Sequence, residues 1–321
     1  MDLAGKKILV TGGAGFVGSN LIPRLVAAGA TVRATLFQRD PAEPAPGVEY
    51  LRVNLENPAD CARVCAGMEW VVLAAANSSG AAVMASTPLV HLTPNLVMNA
   101  RMLEAAHAAG VKKLLFLSSN TVYPLTDFAV KETDAGYEFY ESYHIVGWMK
   151  RFSEVMCEMY AAHIRQPMAT IVLRPGNIFG PHDKFDPQKS KVIAALIRRI
   201  VERQNPLEVW GDGHDLKDFI YVDDIVDAIV LALARLDAFT TLNIASGRPV
   251  TIRETLATML RLEGQTHTEV LYDATKPTMI PRRLIDISHA EATIGFSPRV
   301  SLEEGLRRTF AWYRRALAAA R

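Results

Sequence analysis

The run Ile8-Leu9-Val10-Thr11 passes straight into Gly12-Gly13-Ala14-Gly15-Phe16-Val17-Gly18. Three apolar β-formers meet a glycine-rich turn, and an amphipathic segment opens at about Phe16. That order predicts a strand, a tight turn and a helix N-terminus. Glycines in such a turn let backbone N–H groups approach a pyrophosphate, and the helix end favours its negative charge. Two registers fit, Gly13-x-Gly15-x-x-Gly18 and Thr11-Gly12-x-x-Gly15-x-x-Gly18. Set in the first strand–turn–helix of an α/β chain, the stretch predicts a dinucleotide site lined by Gly12, Gly15, Phe16, Val17 and Gly18.

The rest of the chain keeps that rhythm. The first helix contains Pro23, which removes one helical hydrogen bond, and ends at Gly29. Thr31–Leu36 reads as the second strand. NAD enzymes often carry Asp or Glu at its tip for the ribose hydroxyls. Here the tip reads Phe37-Gln38-Arg39-Asp40, and Arg39 is suited to a 2′-phosphate, so NAD and NADP both stay open. Val48–Val53 is a third strand, leading to Asn54 and Leu55 at the cofactor's edge. Asn57-Pro58 supplies a capping side chain and a first-position proline for a helix. Trp70–Ala76 reads as a buried strand whose small residues Ala74, Ala75 and Ala76 let a cofactor lie close. A helix over Pro94–Ala109 and a strand over Val111–Ser118 follow. The alternation predicts an α/β fold: a doubly wound parallel sheet of the Rossmann kind over residues 1–175. A smaller, interleaved substrate-binding region is expected over 176–321. It holds a basic helix over Ser190–Gln204, a strand over Leu207–Trp210, a helix over Ile225–Leu236 and a strand over Leu242–Ala245. Thr251-x-x-Glu254 and Ser301-x-x-Glu304 fit capping boxes.

A formal net charge of +1 excludes bulk attraction to nucleic acid or a membrane surface. No apolar run is long enough to span a bilayer, and the first strand follows Lys6-Lys7 without a secretory core, so a cytoplasmic protein is expected. The three cysteines, Cys61, Cys65 and Cys157, make no disulfide framework. Cys61 and Cys65 lie one helical turn apart. Two thiolates alone make a poor zinc site, so they read as a buried helix face, and no metal is expected.

Four motifs then occur in order: Thr11-Gly12-x-x-Gly15-x-x-Gly18; Ser118-Ser119-Asn120-Thr121-Val122-Tyr123; Arg174-Pro175-Gly176-Asn177-Ile178-Phe179-Gly180-Pro181; and Gly211-Asp212-Gly213 with Asp218-Phe219-Ile220-Tyr221-Val222-Asp223-Asp224. Together they resemble the extended short-chain dehydrogenase/reductases that modify nucleotide sugars, over nearly the whole chain. Gly180-Pro181-His182-Asp183-Lys184-Phe185-Asp186 and the following Val192–Arg199 resemble the GDP-fucose synthase branch in particular.

The resemblance implies oxidation of a sugar hydroxyl, usually at C4, by hydride transfer to a nicotinamide. In the family a Tyr of Tyr-x-x-x-Lys takes the hydroxyl proton. The Lys lowers the phenol's pKa and holds the nicotinamide ribose, and a strand-end Ser or Thr holds the reacting oxygen. Ser119 matches the serine, and Lys150 matches the lysine in both its catalytic and cofactor-binding roles. The position four residues before Lys150 is Val146, which moves no proton. Tyr143 lies seven residues before Lys150, on about the same helix face. It either takes a catalytic role or simply packs. The family's dehydratases carry acids just after the serine; here those positions are Asn120 and Thr121. GDP-fucose synthases pair a Cys near Thr121 with a His in the Gly-Pro-His segment, so His182 is expected to act as acid or base. Asn177 matches a sugar-contacting asparagine, Lys217 stands where relatives carry a phosphate-binding Arg, and Arg282 is expected at the pyrophosphate, with Arg283 as its competitor.

The altered triad (Ser119, Val146, Lys150) without an acid pair points to 5,6-dehydration of an NDP-hexose(amine). UDP-N-acetylglucosamine is the expected substrate, with tightly held NAD and a role of the antibiotic-biosynthesis type. The alternatives are a 4-epimerase, a GDP-fucose-synthase-like epimerase/reductase, or a sensor that binds NAD(P) or a nucleotide sugar without turnover. Relatives pair through helices matching Pro94–Ala109 and Tyr143–His163. Ala100, Ala105, Ala106 and Ala109 suit that packing, so a homodimer is expected.

Overall fold

β1 (Lys7–Thr11) lies in the interior of a parallel sheet because its residues are apolar on both faces. A computed structural model describes residues 3–78, 80, 83, 86–276 and 278–319. In it β1 leads to α1 (Phe16–Ala27), β2 (Thr31–Leu36), β3 (Glu49–Arg52), α2 (Pro58–Cys65), β4 (Trp70–Leu73), α3 (Thr93–Ala108), β5 (Lys113–Leu117), α4 (His144–Ala162) and β6 (Ala169–Pro175). The second half adds β7 (Asn177–Phe179), α5 (Val192–Val201), β8 (Leu207–Trp210), β9 (Leu216–Lys217), β10 (Phe219–Tyr221) and α6 (Val222–Arg235). It closes with β11 (Thr240–Ile244), β12 (Val250–Thr251), α7 (Ile252–Leu262), β13 (Val270–Asp273), α8 (Ser288–Ile294) and α9 (Leu302–Ala319).

The seven-stranded sheet runs β11-β6-β5-β4-β1-β2-β3, and every pairing in it is parallel. The chain order reverses between β1 and β4, the crevice where open α/β sheets bind ligands. Strand side chains alternate between two cores. Ile8, Val10, Val72, Leu115 and Ile171 meet α1 and α6 on one face. Leu9, Val71, Leu114 and Phe116 meet α2, α3 and Cys157 on the other. Cys61 and Cys65 are fully buried there, on the α2 face expected of them. A third core joins α5, α7 and α9 around Leu207, Val209 and Phe219. Three two-stranded sheets (β7 with β10, β9 with β12, β8 with β13) stand beside the large one.

Local signals set these limits. The Asn57 side chain accepts from the Ala59 and Asp60 amides at 2.9 and 3.4 Å and starts α2. The Thr251–Glu254 capping box forms in both directions and starts α7. The strand expected to reach Ala76 leaves the ladder at Leu73. Beyond it, the Ala74 and Ala75 amides donate to Thr11 Oγ1 at 3.1 and 3.0 Å. No helix among the described residues is long and apolar enough to cross a membrane.

Candidate active site

The glycine turn is built so that backbone alone faces the sheet's C-terminal edge. Gly12 has φ +74° and donates its amide to Thr35 Oγ1 at 3.0 Å. A Cβ on Gly18 would meet Gly12 O at 2.2 Å, and one on Gly15 would meet the same oxygen at 3.0 Å. A Cβ on Gly13 would lie 2.9 Å from Ala34 Cβ, so both sequence registers mark real constraints. α1 begins at Gly15 with no side-chain cap and no acid in its first turn. Its opening N–H groups, from Phe16, Val17 and Gly18, are left for an anion. A cradle that any Cβ would fill fits a dinucleotide pyrophosphate.

Around the cradle, Ala74 and Ala75 are half-buried and Ala76 is exposed. Asn54 is exposed with its amide on Asp60, and Leu55 is buried. Arg39 is exposed at the end of β2; its neighbour Asp40 is paired with Arg52, and the Arg39 charge acts on Lys184 across the cleft.

The catalytic side lies at the end of β5. Ser119 caps a short turn over Asn120–Val122, its Oγ accepting from the Thr121 amide at 3.2 Å. Asn120 donates to Pro175 O at 3.0 Å, whereas Thr121 Oγ1 is buried without a partner. Lys150, on α4, reaches the same point: its Nζ donates to Leu117 O at 2.7 Å and stands 4.8 Å from the Phe116 ring centroid. Burial pushes the Lys150 ammonium down to about 8.

Val146 occupies the turn before Lys150. Tyr143 caps α4 just ahead of it, because the helix begins only at His144. Burial pushes its phenol up to about 12, against the opposing pull of Arg283. Gly147 lies under Phe139: a Cβ there would come within 2.6 Å of that ring. Phe139 and Tyr137 pack on Trp148 at 5.3 and 5.7 Å between ring centroids.

Glu154, one turn beyond Lys150, was not singled out by the motifs, yet it anchors the region. Arg174 donates to it twice, at 3.0 and 2.8 Å, and Ser118 Oγ donates to it at 2.5 Å. Arg174 also reaches Tyr123 OH at 2.9 Å, and that hydroxyl donates to Asn243 Oδ1 at 2.5 Å. The available signal was a carboxylate four residues after Lys150 and an arginine opening the Arg174-Pro175 motif.

Substrate-side residues divide. Asn177 is half-buried, its amide on Asp218 O at 2.7 Å. Lys217 is buried, donating to Asp215 at 3.0 Å and to Ile280 O. Arg282 is exposed. Its competitor Arg283 turns inward and is 1 % exposed, donating to the carbonyls of Pro124 and Tyr123 at 2.8 and 3.1 Å with Nε unpartnered. Adjacent residues in extended backbone point to opposite sides, and the Leu216–Arg282 bridge sets which one faces out. His182 packs against α9. Its backbone has φ +67°, and its ring packs on Trp312 of α9 at 4.9 Å. Among the described residues no hydrogen bond or ring contact links it to Ser119, Tyr143 or Lys150. Burial lowers its pKa.

The model of the NAD dependent epimerase/dehydratase family matches residues 8–245. The chain belongs to that family. It is 33% identical to GDP-L-fucose synthase 1 of Arabidopsis thaliana, over 96% of this chain and 93% of the relative. It is 28% identical to dTDP-4-dehydro-6-deoxy-D-allose reductase of Streptomyces bikiniensis, over 97% of each. Among solved structures, the UDP-glucose 4-epimerase of Thermotoga maritima with UDP-glucose superposes with a TM-score of 0.87 at 27% identity, covering 97% of this chain and 99% of that one. That of Thermus thermophilus in complex with NAD gives 0.81 at 26% identity, covering 96% and 99%. The family's cofactor is NAD, and the family's NAD-dependent fold is the one described above. The expectation of a 5,6-dehydratase acting on UDP-N-acetylglucosamine finds no support among these relatives.

Proposed function

We propose that this protein is an enzyme that exchanges a hydride at C4 of a nucleotide-linked hexose, as an epimerase/reductase of the kind found in the GDP-L-fucose synthases. One observation carries the reading: Lys150 Nζ bonds the Leu117 carbonyl at 2.7 Å, two residues before Ser119, at the edge of the sheet that also bears the glycine cradle. NAD held by Gly12, Gly15 and the α1 N-terminus supplies the hydride acceptor and donor. Ser119 holds the reacting sugar oxygen. Thr121 Oγ1, buried and unpartnered, is available for a neighbouring hydroxyl. Asn177 orients the sugar. Buried Lys217 and Arg283, with Asp215 the one carboxylate bonded to either among the described residues, favour a diphosphate, and Arg283 takes the role expected of Arg282. Asn120 and Thr121 supply no carboxylic acid to expel a hydroxyl, which favours redox at C4 over dehydration.

A 4-epimerase is the second reading, favoured by the match to UDP-glucose 4-epimerases over almost the whole chain. Trp148, Phe152 and Met159 are 39, 49 and 46% exposed along one side of α4 and support a homodimer; a light-scattering mass of two chains checks this. Three buried unpaired thiols support a reducing, cytoplasmic setting.

The test is a panel of UDP-, GDP- and dTDP-hexoses and their 4-keto forms, incubated with NADH and then with NAD, and followed by absorbance, mass spectrometry and NMR. Cofactor oxidation with reduction of a 4-keto sugar is expected. A 4-epimer without net redox selects the second reading. A product lighter by one water, or none across the panel, rejects both.

A further inference from the structure

We infer that Lys150 itself carries the proton of the reaction, in place of the tyrosine whose position Val146 fills. This rests on the C4-redox reading above. Val146 stands one turn before Lys150 on α4, so that turn carries no phenol. Lys150 is held at the end of β5 by Leu117 O, which uses one of its three N–H groups.

The charged and titratable groups around it leave it unpaired. On its own helix, Glu154 is engaged by Arg174, Arg151 and Ser118, and Cys157 is a buried thiol. From the start of α5, the Lys191 charge disfavours a second cation. From β5, the Phe116 ring offers only its face. Among the described residues no carboxylate forms an ion pair with Lys150. Lys150 is half-buried, and desolvation outweighs the pull of Glu154, so its ammonium gives up a proton more readily than an ordinary lysine's. Tyr143 is the competing group, but its phenol is pushed the other way, up to about 12.

In the oxidising direction the sugar O–H bond breaks and an N–H bond forms on the neutral Lys150 amine. The oxygen's electron pair becomes the second C–O bond, the C4 hydride passes to the nicotinamide, and the sugar carbon is oxidised as the nicotinamide is reduced. In the reducing direction the Lys150 ammonium returns the proton to the alkoxide oxygen.

The test has a spectroscopic arm and a kinetic arm. With Cε-labelled lysine, the NMR resonance absent from Lys150→Arg is expected to titrate near 8. A midpoint among the ordinary lysines at about 10.4 overturns the proposal. Lys150→Arg keeps the positive charge but yields no proton at working pH. It should lose about 100-fold or more in turnover while binding NAD within a few-fold of the parent, and adding Val146→Tyr should restore about tenfold. Turnover kept in Lys150→Arg overturns the proposal. A matching loss in Tyr143→Phe, with Lys150→Arg active, moves the role to Tyr143. Should the substrate panel give no turnover with any sugar, the C4-redox reading fails, whereas the titration still decides whether Lys150 is the labile cation.

Discussion

Within two turns of α4 this protein handles buried charge in opposite ways. Around Glu154 the carboxylate is matched, although Arg151, one of its two arginine partners, keeps a buried Nε without a partner. The carboxylate is 1% exposed and receives a two-point bond from Arg174, itself 3% exposed, together with Ser118 and Arg151. One turn earlier Lys150 has a carbonyl and a ring face but no carboxylate, and across the cleft Arg283 has two carbonyls and an idle Nε. Paired charge here fixes α4 against β5 and β6. On the proposed reading, unpaired charge sits where a negatively charged ligand and a transferable proton are needed. The contrast separates scaffold from site without reference to any motif, because an uncompensated buried cation costs stability and persists only where something else requires it.

The sharpest way to break the comparison is Glu154→Ala. It strands Arg174 beside an empty carboxylate site and should cost about 3–5 kcal/mol, read as a lower midpoint in urea. A loss near zero would mean that the matched cluster is not what holds α4. Lys150→Met should do the reverse and raise stability at neutral pH by about 1–2 kcal/mol, the relief of burial exceeding one lost hydrogen bond. The sign follows from linkage. The folded-state pKa near 8 lies below the unfolded value, so between the two the unfolded chain binds more protons and parent stability rises with pH. The advantage of Lys150→Met should therefore shrink as pH climbs from about 8 toward 10.4. An advantage constant with pH would show that Lys150 is an ordinary lysine. The smallest effect is expected for Arg283→Met, about 1 kcal/mol of loss, because two carbonyls lose their donor while a buried charge disappears. A loss as large as that of Glu154→Ala would place Arg283 with the scaffold.

Much of this was legible in the residues. Alternating apolar strands and a glycine turn specify the sheet, and Thr31–Leu36 and Leu207–Trp210 form over the expected limits, since both are short apolar runs bounded by turn residues. The placement of Ser119 and Lys150 at the end of β5 was legible because strand ends and helix phase fix direction as well as position; their roles belong to the proposal. The surroundings of His182 were not legible: a motif gives a place in the chain, whereas the left-handed backbone there and the ring contact with Trp312 come from the fold. The choice between Arg282 and Arg283 depends on a single bridge with Leu216, which no local pattern encodes. Glu154 escaped notice because its importance comes from β6 and from Ser118, both distant in sequence.

Phe139 resting on Gly147 has a consequence for how the valine at 146 is to be understood. An aromatic ring seated over one glycine pins the rotational phase of the first turn of α4, and sliding the helix by one residue would drive a side chain into that ring. Position 146 therefore cannot trade places with a neighbour, and the valine there stands in a fixed frame. The turn is anchored from outside the pocket, which leaves residue 146 free to change identity without disturbing the geometry of Lys150.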